Sequence, residues 1–159
     1  MNQQTSGYLG RTLVSGTIAG LATAATAALA GKRETTSYLA PVNATSHIAW
    51  GDIAATQDGP SLKYTLTGFL LNHAATIFWA AAYEKLVEPR AGDRDDGLMR
   101  PVLGAVAVTA GAYVTDYYLV PRRFTPGWEK RLSGRSLAVI YGAMALGLVA
   151  RGLAQRRRT

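Results

Sequence analysis

The chain has 159 residues, of which 48% are apolar and 17% charged; the charged share lies below the ~25% typical of soluble domains. It holds no Cys and only two His, which excludes a disulfide scaffold, a Cys-ligated zinc site, an iron–sulfur cluster and a thiol nucleophile. The formal charge of +7 points to anionic partners, and where the charges fall decides which.

They fall outside four windows. Residues 12–31 carry no charge, residues 64–83 hold one titratable imidazole, His73, and residues 101–121 hold one acid, Asp116. Residues 136–150 form the fourth window, which extends to a helix at about 136–151 if Arg135 and Arg151 reach outward. About 20 residues at ~1.5 Å each cross a ~30 Å hydrocarbon core. A soluble amphipathic helix would show a charged stripe, and none of these windows has one. The expected fold is therefore all-α, a four-helix transmembrane bundle in one integral-membrane domain spanning 1–159. Residues 12–31 also imitate a secretory signal with Ala28-Leu29-Ala30 as the cleavage pattern, but the uncharged run is long for an h-region, so a retained helix is expected.

An even number of spans puts both termini on one side, side A. Side A holds nine Lys and Arg and side B eight, so the positive-inside rule gives almost no bias. The arginines of the tail 151–159 point to side A as cytoplasmic. Between the first two spans, Pro41 followed by Asn43 is a helix-start signal, and Ile48, Trp50 and Ile53 supply apolar surface. A short interfacial helix is expected at about 43–55, ended by Gln57-Asp58-Gly59-Pro60. The 84–100 connection is polar, and its Asp93-Arg94-Asp95-Asp96-Gly97 run lacks the spacing and the bidentate Glu of a calcium loop. Most Trp and Tyr, Trp50, Trp79 and Trp128 among them, fall near span ends or in loops, which reads as an aromatic belt and not as a stacking platform for nucleic acid.

The runs PVNATSHIAWGD, LTGFLLNHAATIFWAAAYEKL and DYYLVPRRFTPGWEKRLS resemble a group of small bacterial inner-membrane proteins to which no activity is assigned. The resemblance covers most of residues 40–150. It implies a bacterial inner-membrane location and the four-helix architecture, and nothing about mechanism.

An ionisable group inside a span is a functional candidate by default. Asp116 is expected about one turn inside side B, Tyr141 about 8 Å inside it, and His73 about 14 Å deep. With His47 and Asp52 in the side B connection and Asn72 beside His73, connectivity orders a polar track along one face. Three readings compete for it. It is a proton or ion path through Asp116 and His73; or a haem or metal site with His47 and His73 as ligands; or structural, with Asp116 paired to Arg122, Arg123 or Arg135 and His73 bonded to a Ser or Thr. Gly16 and Gly20 make a G-x-x-x-G pattern that lets helices approach closely, within one chain or across a homodimer. Arg151, Arg156, Arg157 and Arg158 are expected to anchor on lipid headgroups. No nucleotide-binding, nucleophile-elbow or zinc-protease motif is present in the sequence. The expected role is an accessory or scaffold subunit of a membrane assembly and not an enzyme, with a small proton- or ion-coupled transporter or channel as the alternative. The expected partners are the bilayer, a membrane protein or a second copy, and no cofactor is fixed by the sequence.

Overall fold

The computed structural model describes residues 3–88 and 97–156, and these are helical with no strand among them. The α-helices are α1 (Gln3–Thr35), α2 (Ala40–Thr45), α3 (His47–Trp50), α4 (Thr67–Val87), α5 (Met99–Val114) and α6 (Gly134–Arg156). Single π-helical turns at Leu62–Leu66 and Thr115–Leu119 lead into α4 and out of α5. The four long helices close a ring in which α1 and α5 each pack on both α4 and α6. Side A is the end at Gln3, Val87 and Met99, and side B the end at Thr35, Leu66 and Gly134.

The ring is small and polar within and bulky and apolar without. Ala19, Ala27, Ala80, Ala112, Ser15 and Thr23 are all buried, whereas Leu13, Leu29, Phe78, Leu103, Val139 and Leu146 each expose more than half of their surface. In water that outer surface would be an aggregation hazard. Against lipid tails there is no hydrophobic gain from burying Leu, so small and hydroxyl residues take the helix contacts. Glycines follow the same logic. A Cβ on Gly16 would meet the Ile77 backbone at 2.7 Å, and one on Gly147 the Ala19 backbone at 2.6 Å. The G-x-x-x-G face of α1 is thus used inside the chain.

Three helices are long and apolar enough to cross a membrane: Thr5–Thr35, Met99–Leu119 and Gly134–Ala154. The expected second span does not reach that standard, because α4 carries Asn72, His73, Thr76, Glu84 and Lys85. The expected window 12–31 is part of a much longer helix. α1 has 33 residues, about 50 Å of rise; Arg11, Lys32 and Arg33 end an apolar window but do not end a helix, since Lys and Arg are good helix formers.

The expected single helix at 43–55 is three short pieces. α2 starts at Ala40 with Pro41 in its first turn, Ser46 separates it from α3, and Gly51 at φ 75° breaks α3 from a 3₁₀ turn over Asp52–Thr56. Together with residues 120–133 these pieces cap side B. Asn43, fully buried, holds the cap together: its amide donates to Gln57 O and Gly59 O at 3.0 and 2.9 Å and its carbonyl accepts from Thr65 at 2.6 Å. Lys130 pairs with Asp52 at 2.9 Å, and Arg131 pairs with Asp58 and donates to Ala55 O. The Lys130 ammonium, as hydrogen-bond donor and as charge, holds the exposed Asp52 carboxyl below its usual range.

Candidate functional site

The polar track separates into parts. Asp116 follows α5 in the π-helical turn, and Tyr141 lies on α6; the Tyr141 hydroxyl donates to Asp116 Oδ2 at 2.5 Å. The expected pairing of Asp116 with Arg122, Arg123 or Arg135 is absent among the described residues, where Tyr141 is its hydrogen-bond partner. Tyr141 in turn packs edge-on against Trp128, with ring centroids 6.1 Å apart, and against Tyr113 at 5.3 Å. Trp128 is therefore buried on the bundle and is not part of an interfacial belt.

Asn72 binds two helices together. Its amide donates to Gly20 O and Thr23 Oγ1, both at 3.1 Å, and Thr23 donates back to its carbonyl at 3.2 Å. Intramembrane hydrogen bonds of this kind contribute about 1 kcal/mol. Asn72→Leu is expected to lower stability by about that amount, read as a shifted denaturation midpoint in detergent, with helix content unchanged.

His73 turns toward α1, away from Asp116. Its Nε2 lies 3.5 Å from Thr17 Oγ1, its ring stacks on Phe69, and its Nδ1 is buried without a hydrogen-bond partner. His47 is buried in the cap, with Nδ1 3.0 Å from Ala44 O and Nε2 3.4 Å from Arg122 O. Both of its nitrogens thus face carbonyl oxygens, an arrangement that leaves no lone pair directed at a metal. The two imidazoles have no partner in common. Among the described residues no group of three His, Cys, Asp or Glu is placed to hold a metal ion. Asp52 is at the exposed rim of the cap with Lys130.

What does converge is a cavity of about 240 Å³ beneath the cap. Asn72, Asp116 and Tyr141 all line it, as do Trp79, Trp128 and Phe124. Its exposed lining residues are Ala75 of α4 and Phe124, just beyond the α5 turn. It therefore opens sideways, between α4 and the side B end of α5. The reason lies in how α5 leans. Near side A a Cβ on Gly104 would touch Val87 at 2.5 Å, so α5 is tight on α4 there. Near side B, Tyr113 and Tyr117 pack on Tyr141 of α6 instead, and the α4 face at Leu71, Ala75 and Trp79 is left to the cavity.

At side A lies a cluster that the sequence reading missed. Glu84 of α4 is 1% exposed and accepts from Arg151 Nη2 of α6 at 2.8 Å, from Ser15 Oγ of α1 at 2.5 Å, and lies 3.4 Å from Arg11 Nε. Arg11 continues to Glu88 at 3.2 Å. Arg151 thus faces inward to a buried carboxylate and not outward to headgroups. Arg157, Arg158 and the Arg156 side chain lie outside the described residues, as does the 89–96 part of the polar connection.

No family model, curated protein or solved structure matches the chain. The resemblance to small bacterial inner-membrane proteins accordingly brings no family assignment and no relative from which a role is carried over.

Proposed function

We propose that this is a multi-pass membrane protein with four spans that binds a small amphiphilic molecule in the side B cavity. α4 is read as the fourth span because its polar residues Asn72, Thr76 and Glu84 are buried inward, while Leu70, Phe78 and Leu86 are exposed outward. Mean hydropathy averages those two faces and so undervalues the helix. The carrying observation is the cavity itself: mostly apolar walls, a few convergent polar groups and a sideways mouth between α4 and the side B end of α5. That is the general form of a small-molecule site.

The arrangement favours binding over conduction. His73 is turned from Asp116 to α1, and the side A end of the ring is occupied by the Glu84–Arg151 pair. An accessory subunit that holds a lipid-like molecule for an assembly fits the same geometry, with the bacterial inner membrane as the proposed location.

The test uses the tryptophans that line the cavity. In Trp50→Phe protein reconstituted in lipid nanodiscs, emission comes from Trp79 and Trp128. Bromodecanol is expected to quench it saturably, and Ala75→Phe, which fills the mouth, is expected to remove the saturable part. Quenching that rises linearly and equally in both proteins would overturn the reading. A stoichiometric polypeptide co-purifying with protein that shows no saturable quenching would replace it with a scaffold role.

A further inference from the structure

The chemistry of the cavity wall narrows the ligand class, and the inference rests on the binding role just proposed. We propose that the cavity selects an organic cation, an alkylammonium headgroup whose hydrocarbon tail stays in the bilayer.

The first argument is the unpaired carboxylate. Asp116 receives one hydrogen bond, from Tyr141 to Oδ2, and among the described residues no other donor reaches Oδ1. No basic side chain lies within ion-pair distance of it in that same set. Glu84, the buried carboxylate among the described residues, has its guanidinium supplied by the protein, whereas Asp116 is half-buried at the cavity. Asp116 faces the cavity with that counter-charge missing.

The second argument is the aromatic wall. Trp79, Trp128, Tyr141 and Phe124 line the same space. Aromatic faces carry negative quadrupole charge, and cages built from them recognise alkylammonium groups, with Trp the strongest contributor. A carboxylate among four aromatic rings favours a cation that is weakly hydrated and apolar at its surface. Asp116 is the one carboxylate on the wall, and the oxygens beside it, of Tyr141, Asn72, Thr23, Thr45 and Thr76, are neutral, so a hard divalent cation would find a single charged ligand there.

Size and access complete the case. At about 240 Å³ the cavity is below the ~300–1,000 Å³ of sites that enclose drug-sized molecules. It accommodates a headgroup and its first carbons, and the mouth at Ala75 and Phe124 lets a tail leave between α4 and α5. The formal charge of the whole chain is +7, so long-range attraction does not favour cations. Any preference for one must arise locally.

Bromodecyltrimethylammonium and neutral bromodecanol form the decisive pair, titrated in nanodiscs of phosphatidylglycerol alone with Trp50→Phe protein. Counted as mole fraction in the membrane, because phosphatidylglycerol itself concentrates cations, the cation is expected to quench saturably at a level at least tenfold below that of the alcohol. Asp116→Asn, which keeps an acceptor for Tyr141, is expected to weaken the cation at least tenfold more than it weakens the alcohol. Asp116→Glu should keep the preference, so a fold defect in the Asn variant would not decide the matter. Equal affinity of cation and alcohol, both blocked by Ala75→Phe, would overturn the cation selectivity while the binding role stands. Loss of saturable quenching by both probes would remove the binding role itself. Nanodiscs containing phosphatidylcholine distinguish the sources: competition there identifies a choline lipid headgroup as an occupant, and its absence a free lipophilic cation.

Discussion

Replacing Glu84 with alanine is expected to destabilise the protein by about 3–5 kcal/mol, the range seen when one partner of a buried ion pair is removed. The carboxylate is 1% exposed and Arg151 only 15%, so the guanidinium left behind has little water to turn to. It would also lose the charge-assisted bonds that its Nε and Nη2 make to Glu84 Oε1 and Oε2. Arg11→Ala should cost far less, about 1 kcal/mol or below, since Arg11 is 36% exposed and its nearest Glu84 contact is 3.4 Å. The informative variant is the double replacement Glu84→Leu with Arg151→Met. Apolar groups of similar volume can replace a buried pair at little or no cost, so the double variant should be more stable than either single one. Unfolding midpoints in detergent for the two singles and the double complete the cycle. Additive losses would show that the two residues do not act as a pair.

That cluster also marks the limit of the sequence reading. Arg11, Glu84 and Arg151 each stand at the margin of an apolar window, the place where charges normally meet headgroups, and that position is why the sequence pattern puts Arg151 on lipid and gives Arg11 and Glu84 no role. Connectivity held a better signal: all three lie on side A, and their signs are opposite. The same connectivity argument did place Asp116 and Tyr141 near one end, where the structure joins them. It failed for His73, because depth along a helix says nothing about which face a residue takes. Asn72 and His73 are adjacent, and both meet α1 and neither Asp116. Window hydropathy located the long helices but not their ends. α1 runs on past Lys32 and Arg33 to Thr35. The cap was the least legible part, since its pieces of six, four and five residues are too short to show periodicity. They are held by backbone carbonyls accepting from Asn43 and Arg131, partners that composition cannot reveal.

The cap depends on one glycine that sequence alone would pass over. A Cβ on Gly68 of α4 would stand 1.9 Å from Val42 O and 3.0 Å from Val42 C. Both are backbone atoms of α2, so no side chain can swing aside to make room. Gly68→Ala must therefore lift α2 off α4, and α2 carries Asn43, whose bonds to Gln57, Gly59 and Thr65 hold the cap closed. The loss is expected at the upper end of overpacking effects, about 3 kcal/mol. Gly142→Ala supplies the control. Nothing lies within 4 Å of its added Cβ, and in a helix interior alanine is favoured over glycine by about 1 kcal/mol, so this variant should be neutral or slightly stabilised. Because Thr45 and Ile48 of the cap line the cavity, the Gly68→Ala protein that still folds should also bind bromodecanol less tightly. A Gly68→Ala variant with the same unfolding midpoint and the same quenching curve as Gly142→Ala would mean that α2 does not rest on α4. The cap would then play no part in forming the cavity.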